Sequence, residues 1–129
     1  MRFFHTWTDE AGESHVDQRV IPFKPVENYA TGVPTVGVSD VKQAGVVHFV
    51  SFPVGWVGEP HPTPARQQWV LVQGRIGELT SDGREVLAGP GDCGLLEDTW
   101  GKGHKSWVEG DEEVIILMVT LPGEQTTEN

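Results

Sequence analysis

The chain has 129 residues, 37% of them hydrophobic, and a formal net charge of −10 from 9 Lys plus Arg against 19 Asp plus Glu. That field repels phosphate backbones, which argues against nucleic acid as a partner. No apolar run is long enough for a membrane span or a signal peptide, so the sequence predicts no membrane association.

The length suits one domain over residues 1–129. One cysteine, Cys93, has no internal disulfide partner, which fits a reducing cytoplasm. The 16 Gly and 9 Pro fall between short apolar runs, as expected of many short strands joined by turns. Residues 1–15 are polar with scattered aromatics and read as an edge strand or an N-terminal arm. Arg19–Phe23 is a short apolar run stopped by Pro22 and Pro25. Residues 24–45 read as loop with one turn of helix near Ser39–Gln43.

The core is expected over residues 46–121. Val46–Pro53 alternates as a strand, and its parity puts His48 beside Val50 and Phe52 on an apolar face. In the Gln67–Gln73 strand, Gln67, Trp69, Leu71 and Gln73 share one face. Ser81-Asp82-Gly83 predicts a hairpin pairing Arg75–Thr80 with Arg84–Leu87, since Asp-Gly supplies the positive φ that tight hairpins need. Gly89-Pro90-Gly91-Asp92 is a second turn, leading into Cys93–Leu96. Glu113–Leu121 is apolar on both faces, which suits a sandwich interior or an outer face covered by a second copy. Residues 122–129 read as a frayed tail. About seven strands with turns every 8–12 residues indicate an all-β sandwich or barrel.

The stretch from Gly55 to His104 resembles a cupin, the small jelly-roll β-barrel family, in a subset carrying a Glu-Asp-Thr…Gly-Lys-Gly-His loop. The first cupin motif is matched at Gly55, His61 and Gly74, and the second at Gly91-Asp92 and His104. Thr63 stands where the motif has its second histidine and Gln67 where it has glutamate. The resemblance implies an all-β cupin-like jelly roll and a homodimer formed through an outer sheet face. It also implies a pocket binding a small organic molecule, with His61, Gln67, Trp69 and His104 facing it. The alternative it carries is a metal-dependent enzyme of the dioxygenase, isomerase or lyase kind. Of the family's metal ligands only His61 and His104 carry over, which implies a divalent transition metal held weakly. A further ligand would come from His48, Glu97 or Asp98.

The residues themselves leave several readings open. His61 and His104 suit metal ligation or metal-free proton transfer near neutral pH. Arg66 suits a carboxylate, but strand alternation sends it opposite Gln67, towards a surface or interface salt bridge. Glu97 and Asp98 read either as acid–base groups or as an acidic turn holding its own backbone. Gly101-Lys102-Gly103 lacks the spacing of a phosphate loop.

Overall fold

Alternating apolar and polar residues build eleven strands and no helix among residues 1–123, the part described by the computed structural model. They are β1 (Phe3–Thr8), β2 (Ser14–Arg19), β3 (Lys24–Val26), β4 (Val36–Val38), β5 (Val47–Phe52), β6 (Gln67–Gln73), β7 (Arg75–Thr80), β8 (Glu85–Ala88), β9 (Cys93–Leu96), β10 (His104–Glu109) and β11 (Val114–Thr120). A six-stranded sheet runs β2-β1-β9-β6-β11-β5, a three-stranded sheet runs β10-β7-β8, and β3-β4 form a small ribbon. The fold is an all-β jelly roll.

The main core lies between the two larger sheets. Phe4, Val16, Trp69, Leu71, Val114 and Ile116 come from the six-stranded sheet, and Ala88 and Val108 from the other. Burying Leu71 or Ile116 stabilises the fold by about 2 kcal/mol each before entropy is counted. Gly94 lets the indole of Trp69 lie flat against β9, because a Cβ there would sit 2.7 Å from Trp69 Nε1. The predicted hairpin pairs β7 with β8 antiparallel, with Gly83 at φ +90°.

Several expectations are corrected. Residues 1–15 are not an arm: β1 lies between β2 and β9, and Phe3, Phe4, His5 and Thr6 are all buried. Their polarity is offset by hydrogen bonds, which is why composition alone left edge strand and arm both open and did not show a strand inside the sheet. Ser39–Gln43 forms no helical turn; residues 24–38 contribute the β3-β4 ribbon instead. His48 has the parity of Phe52, but β5 is the sheet's edge strand and His48 is exposed, neither core nor pocket wall. Of the expected tail, Pro122 and Gly123 are exposed, and residues 124–129 lie outside the described residues.

On the outside of β1 and β2, the rings of His5, Trp7 and His15 stack in sequence. His15 bridges two carboxylates, Nε2 to Asp9 at 2.7 Å and Nδ1 to Asp82 at 3.0 Å. The Asp9 hydrogen bond holds the His15 pKa above its ordinary value. Asp9 is held low by the same bond. Burial works to raise Asp82, but bonds from Thr80, Arg84 and His15 outweigh it and hold it low.

A histidine with a raised folded pKa contributes fully below about pH 6.5 and loses that contribution as pH rises through the folded value. Carboxylates with depressed values contribute above about pH 4 and lose it on acidification. The bridge is therefore strongest between roughly pH 4 and 6.5. Melting curves from pH 4 to 9 should show His15→Gln closing on the wild type as pH rises. A gap that stays constant would contradict this.

Candidate functional site

The segment before β6 and the start of β10 bring two distant histidines together. His61 and His104 form an isolated antiparallel bridge, each backbone N–H donating to the other's carbonyl at 3.1 Å. Their ring centroids lie 5.8 Å apart. Gly103 makes this approach possible, because its φ is +68° and a Cβ there would collide with the His61 carbonyl. Lys102 ties the same loop to the β1–β2 turn through Glu13 at 2.7 Å.

Behind this bridge lies a cavity of about 190 Å³ between the sheets. Phe4, Phe52, Trp56, Trp69, Ile116 and Met118 supply its apolar wall. Its polar groups are His61, Thr63, Gln67, Glu78, His104 and Ser106. The four residues singled out by sequence, His61, Gln67, Trp69 and His104, thus line one cavity. Of the other tryptophans, Trp56 lines it too, while Trp100 and Trp107 do not.

Glu97 and Asp98 follow β9, and its alternation sends them to opposite sides. Asp98 turns inward: one oxygen accepts from Thr63 Oγ1 at 2.8 Å, and the other lies 2.6 Å from His104 Nδ1. The carboxylate thereby fixes the ring and leaves Nε2 as the nitrogen available on the cavity side. Burial works against a charged His104, but the Asp98 bond and the charges of Glu78 and Asp98 outweigh it and raise its pKa. An imidazole held this way can donate or accept a proton at Nε2.

Glu97 turns outward, and Arg66 goes with it. Glu97 Oε1 lies 2.6 Å from His5 Nε2, and its Oε2 accepts from Arg66 Nε at 2.5 Å. Arg66 Nη1 also donates to the Pro122 carbonyl at 3.2 Å. Arg66 is therefore in an internal ion pair facing away from the cavity, not on an open surface, and Glu97 is not a cavity group. His5 Nδ1 is the one buried side-chain polar atom without a partner among the described residues.

Glu78 was not legible as a site residue. It sits on β7 between Ile76 and Thr80, with Thr6 Oγ1 at 2.8 and 3.0 Å from its two oxygens. Burial pushes its carboxyl up, the His104 charge and the Thr6 bond pull it down, and Asp98 pushes it up again; the balance is upward. The available signal was a charge sharing parity with Ile76, one of the inward-facing positions of a short strand. Cys93, by contrast, is buried on the other side with Phe3, Leu95 and Leu121. Burial first, then the Asp92 charge, raises its thiol pKa, as suits an inert cysteine.

The chain folds as a small cupin-like jelly-roll barrel. No family model matches the sequence, and no curated protein matches it significantly. Among solved structures it is similar to a cupin 2 conserved barrel domain protein from Leptotrichia buccalis, at 17% identity and a TM-score of 0.46. That match covers 64% of this chain and 40% of the other, so the chain spans less than half of that protein's length. It is also similar to a predicted oxalate decarboxylase from Thermotoga maritima, at 16% identity and a TM-score of 0.49, over 78% of this chain and 92% of the other. A cupin superfamily protein from Desulfitobacterium hafniense matches at 16% identity and a TM-score of 0.49, over 76% and 84% of the two chains. These likenesses concern the fold alone.

Proposed function

We propose that the barrel cavity binds a small organic molecule whose polar end meets the wall formed by Glu78 and His104 and whose body lies against Trp56, Trp69 and Met118. The observation that carries this is the buried Asp98–His104 pair at 2.6 Å, set at the wall of a cavity that is otherwise largely apolar. A few convergent polar groups in an apolar cleft are the usual make-up of a ligand site. Titrating six-carbon rings that carry one polar group, followed by amide and indole NMR shifts, tests it. Shifts should centre on Trp56, Trp69 and His104. Saturating probe with no shift at any of them would refute the reading.

The metal-dependent alternative meets a poor donor set. His61 Nδ1 is 2.7 Å from the Glu59 carbonyl, and His104 Nδ1 is held by Asp98, so both rings could offer Nε2. Beyond these two imidazoles, the described residues hold no group of three or more His, Cys, Asp or Glu placed to share an ion. Thr63 is tied to Asp98, His48 is exposed on the edge strand, and Glu97 faces outward. A resident metal normally takes at least three protein ligands. Protein purified without chelator should carry well under one transition metal per chain by elemental analysis; one tightly held equivalent would contradict this.

We also propose a homodimer through the outer face of β5, β11 and β6. Phe49 and Val70 both pair with Leu117 there, and Val47 with Val119. Phe49 is 68% exposed and Val47 61%, an apolar patch that a second copy would bury. Sedimentation velocity should show a dimer that Phe49→Glu converts to monomer. A monomeric wild type at tens of micromolar would refute it.

A further inference from the structure

We infer that the ligand of this cavity is a small organic cation, with its ammonium group seated against Glu78 and its hydrocarbon body between Phe4, Phe52, Trp56 and Trp69. The inference rests on the reading of the cavity as a binding site and adds the charge of what enters it.

Charge balance comes first. Two carboxylates serve this interior, Glu78 on the cavity wall and Asp98 behind His104. His104 is paired with Asp98 at 2.6 Å, while Glu78 is bonded to the Thr6 hydroxyl and, among the described residues, to no cationic side chain. No Arg or Lys is among the lining residues. Arg66, the guanidinium closest in sequence to the first motif, is committed to Glu97 on the far side of the sheet. An anionic ligand would thus find no guanidinium or ammonium among the lining residues to receive it. An ammonium would donate to Glu78, whose partner at present is the Thr6 hydroxyl.

The walls agree with the charge. Phe4 and Trp69 lie parallel with centroids 6.4 Å apart, and Phe52 meets Trp56 edge-on at 4.7 Å. Aromatic rings beside a carboxylate form a favourable setting for alkylammonium groups, because ring faces attract cations. Size limits the ligand further. A cavity of about 150 Å³ accepts benzene, so about 190 Å³ suits a six-carbon ring with one small substituent.

Protons supply a second readout. Glu78 is faced by the charges of His104 and Asp98, and His61 is the remaining titratable lining residue. Burial holds the Glu78 carboxyl up, so an arriving ammonium takes the place of its proton. Amine affinity should therefore rise with pH until the amine itself deprotonates.

The test uses the full chain and three probes of one shape: cyclohexylamine, cyclohexanol and cyclohexanecarboxylate, titrated by NMR at pH 7. The amine should bind at least tenfold tighter than the alcohol, and the carboxylate should not bind. Glu78→Gln should cost the amine at least tenfold and the alcohol far less. Equal binding of amine and alcohol, or tightest binding of the carboxylate, overturns the cation while leaving the cavity a binding site. If none of the three enters, both readings fall. Should Glu78→Gln not fold, the ranking of the three probes on the wild type, and the rise of amine affinity from pH 6 to 8, decide the matter.

Discussion

Asp98→Asn lowers the pKa of His104 from above the ordinary histidine value to below it. In the wild type two opposed effects act on this ring: burial disfavours its charge, and the Asp98 bond with the nearby carboxylates favours it. An amide keeps the size of the side chain and can keep the Thr63 contact, but it removes the negative charge 2.6 Å from Nδ1. Burial and Glu78 then remain, and burial is the larger. A histidine titration by heteronuclear NMR reads the change directly. The direction of the change, from above the ordinary histidine value downward, is the lost preference for the charged ring. Ligand binding should weaken in parallel, because the ring loses both its fixed tautomer and its orientation. A His104 midpoint that does not move would mean that Asp98 acts only on the loop's backbone.

Glu97→Ala should be the most destabilising single change at a polar residue of the barrel. Glu97 is fully buried and joins three parts of the chain: His5 on β1, Arg66 ahead of β6, and the loop that carries Asp98. Removing one member of a buried pair leaves its partner's charge uncompensated, at a cost of about 3–5 kcal/mol. For a chain of this length that corresponds to a fall of roughly 10 °C or more in Tm. A double-mutant cycle with Arg66→Ala isolates the pair, and the double variant should lose clearly less than the sum of the singles. Strict additivity would show that Glu97 acts through His5 or packing alone. Since Glu97 and Asp98 are neighbours, the outward anchor also aims the inward carboxylate. A loosened Glu97 should broaden the His104 resonance even where the fold survives.

β5 and β6 could be read from sequence because period-2 patterning needs no tertiary context, β7 because Asp82-Gly83 marks a hairpin turn, and β11 because it is a bounded apolar run. The same alternation separated Gln67 from Arg66 correctly, one to the cavity and one away from it. β1 stayed open between edge strand and arm because its buried members include His5, Thr6 and Thr8, whose polarity is satisfied by partners some 70 to 90 residues away. β10 escaped for a related reason: His104, Lys105 and Ser106 look like loop until β7 pairs with them. The two histidines were visible as residues, but their company was not. Asp98 could not be told from Glu97 without knowing how β9 ends, and Glu78 looked like any solvent-facing charge on a short strand. Motif spacing located the opening of the barrel; the carboxylates that set its electrostatics come from long-range pairing.

The account stands on occupancy of the barrel interior. Intermolecular NOEs from bound cyclohexylamine to protons of the full-length protein report it without any variant. The account predicts contacts to Trp69, Ile116, Met118 and the His104 ring. Contacts confined to the outer residues Val47, Phe49 and Val72, or none at saturating amine, would contradict it.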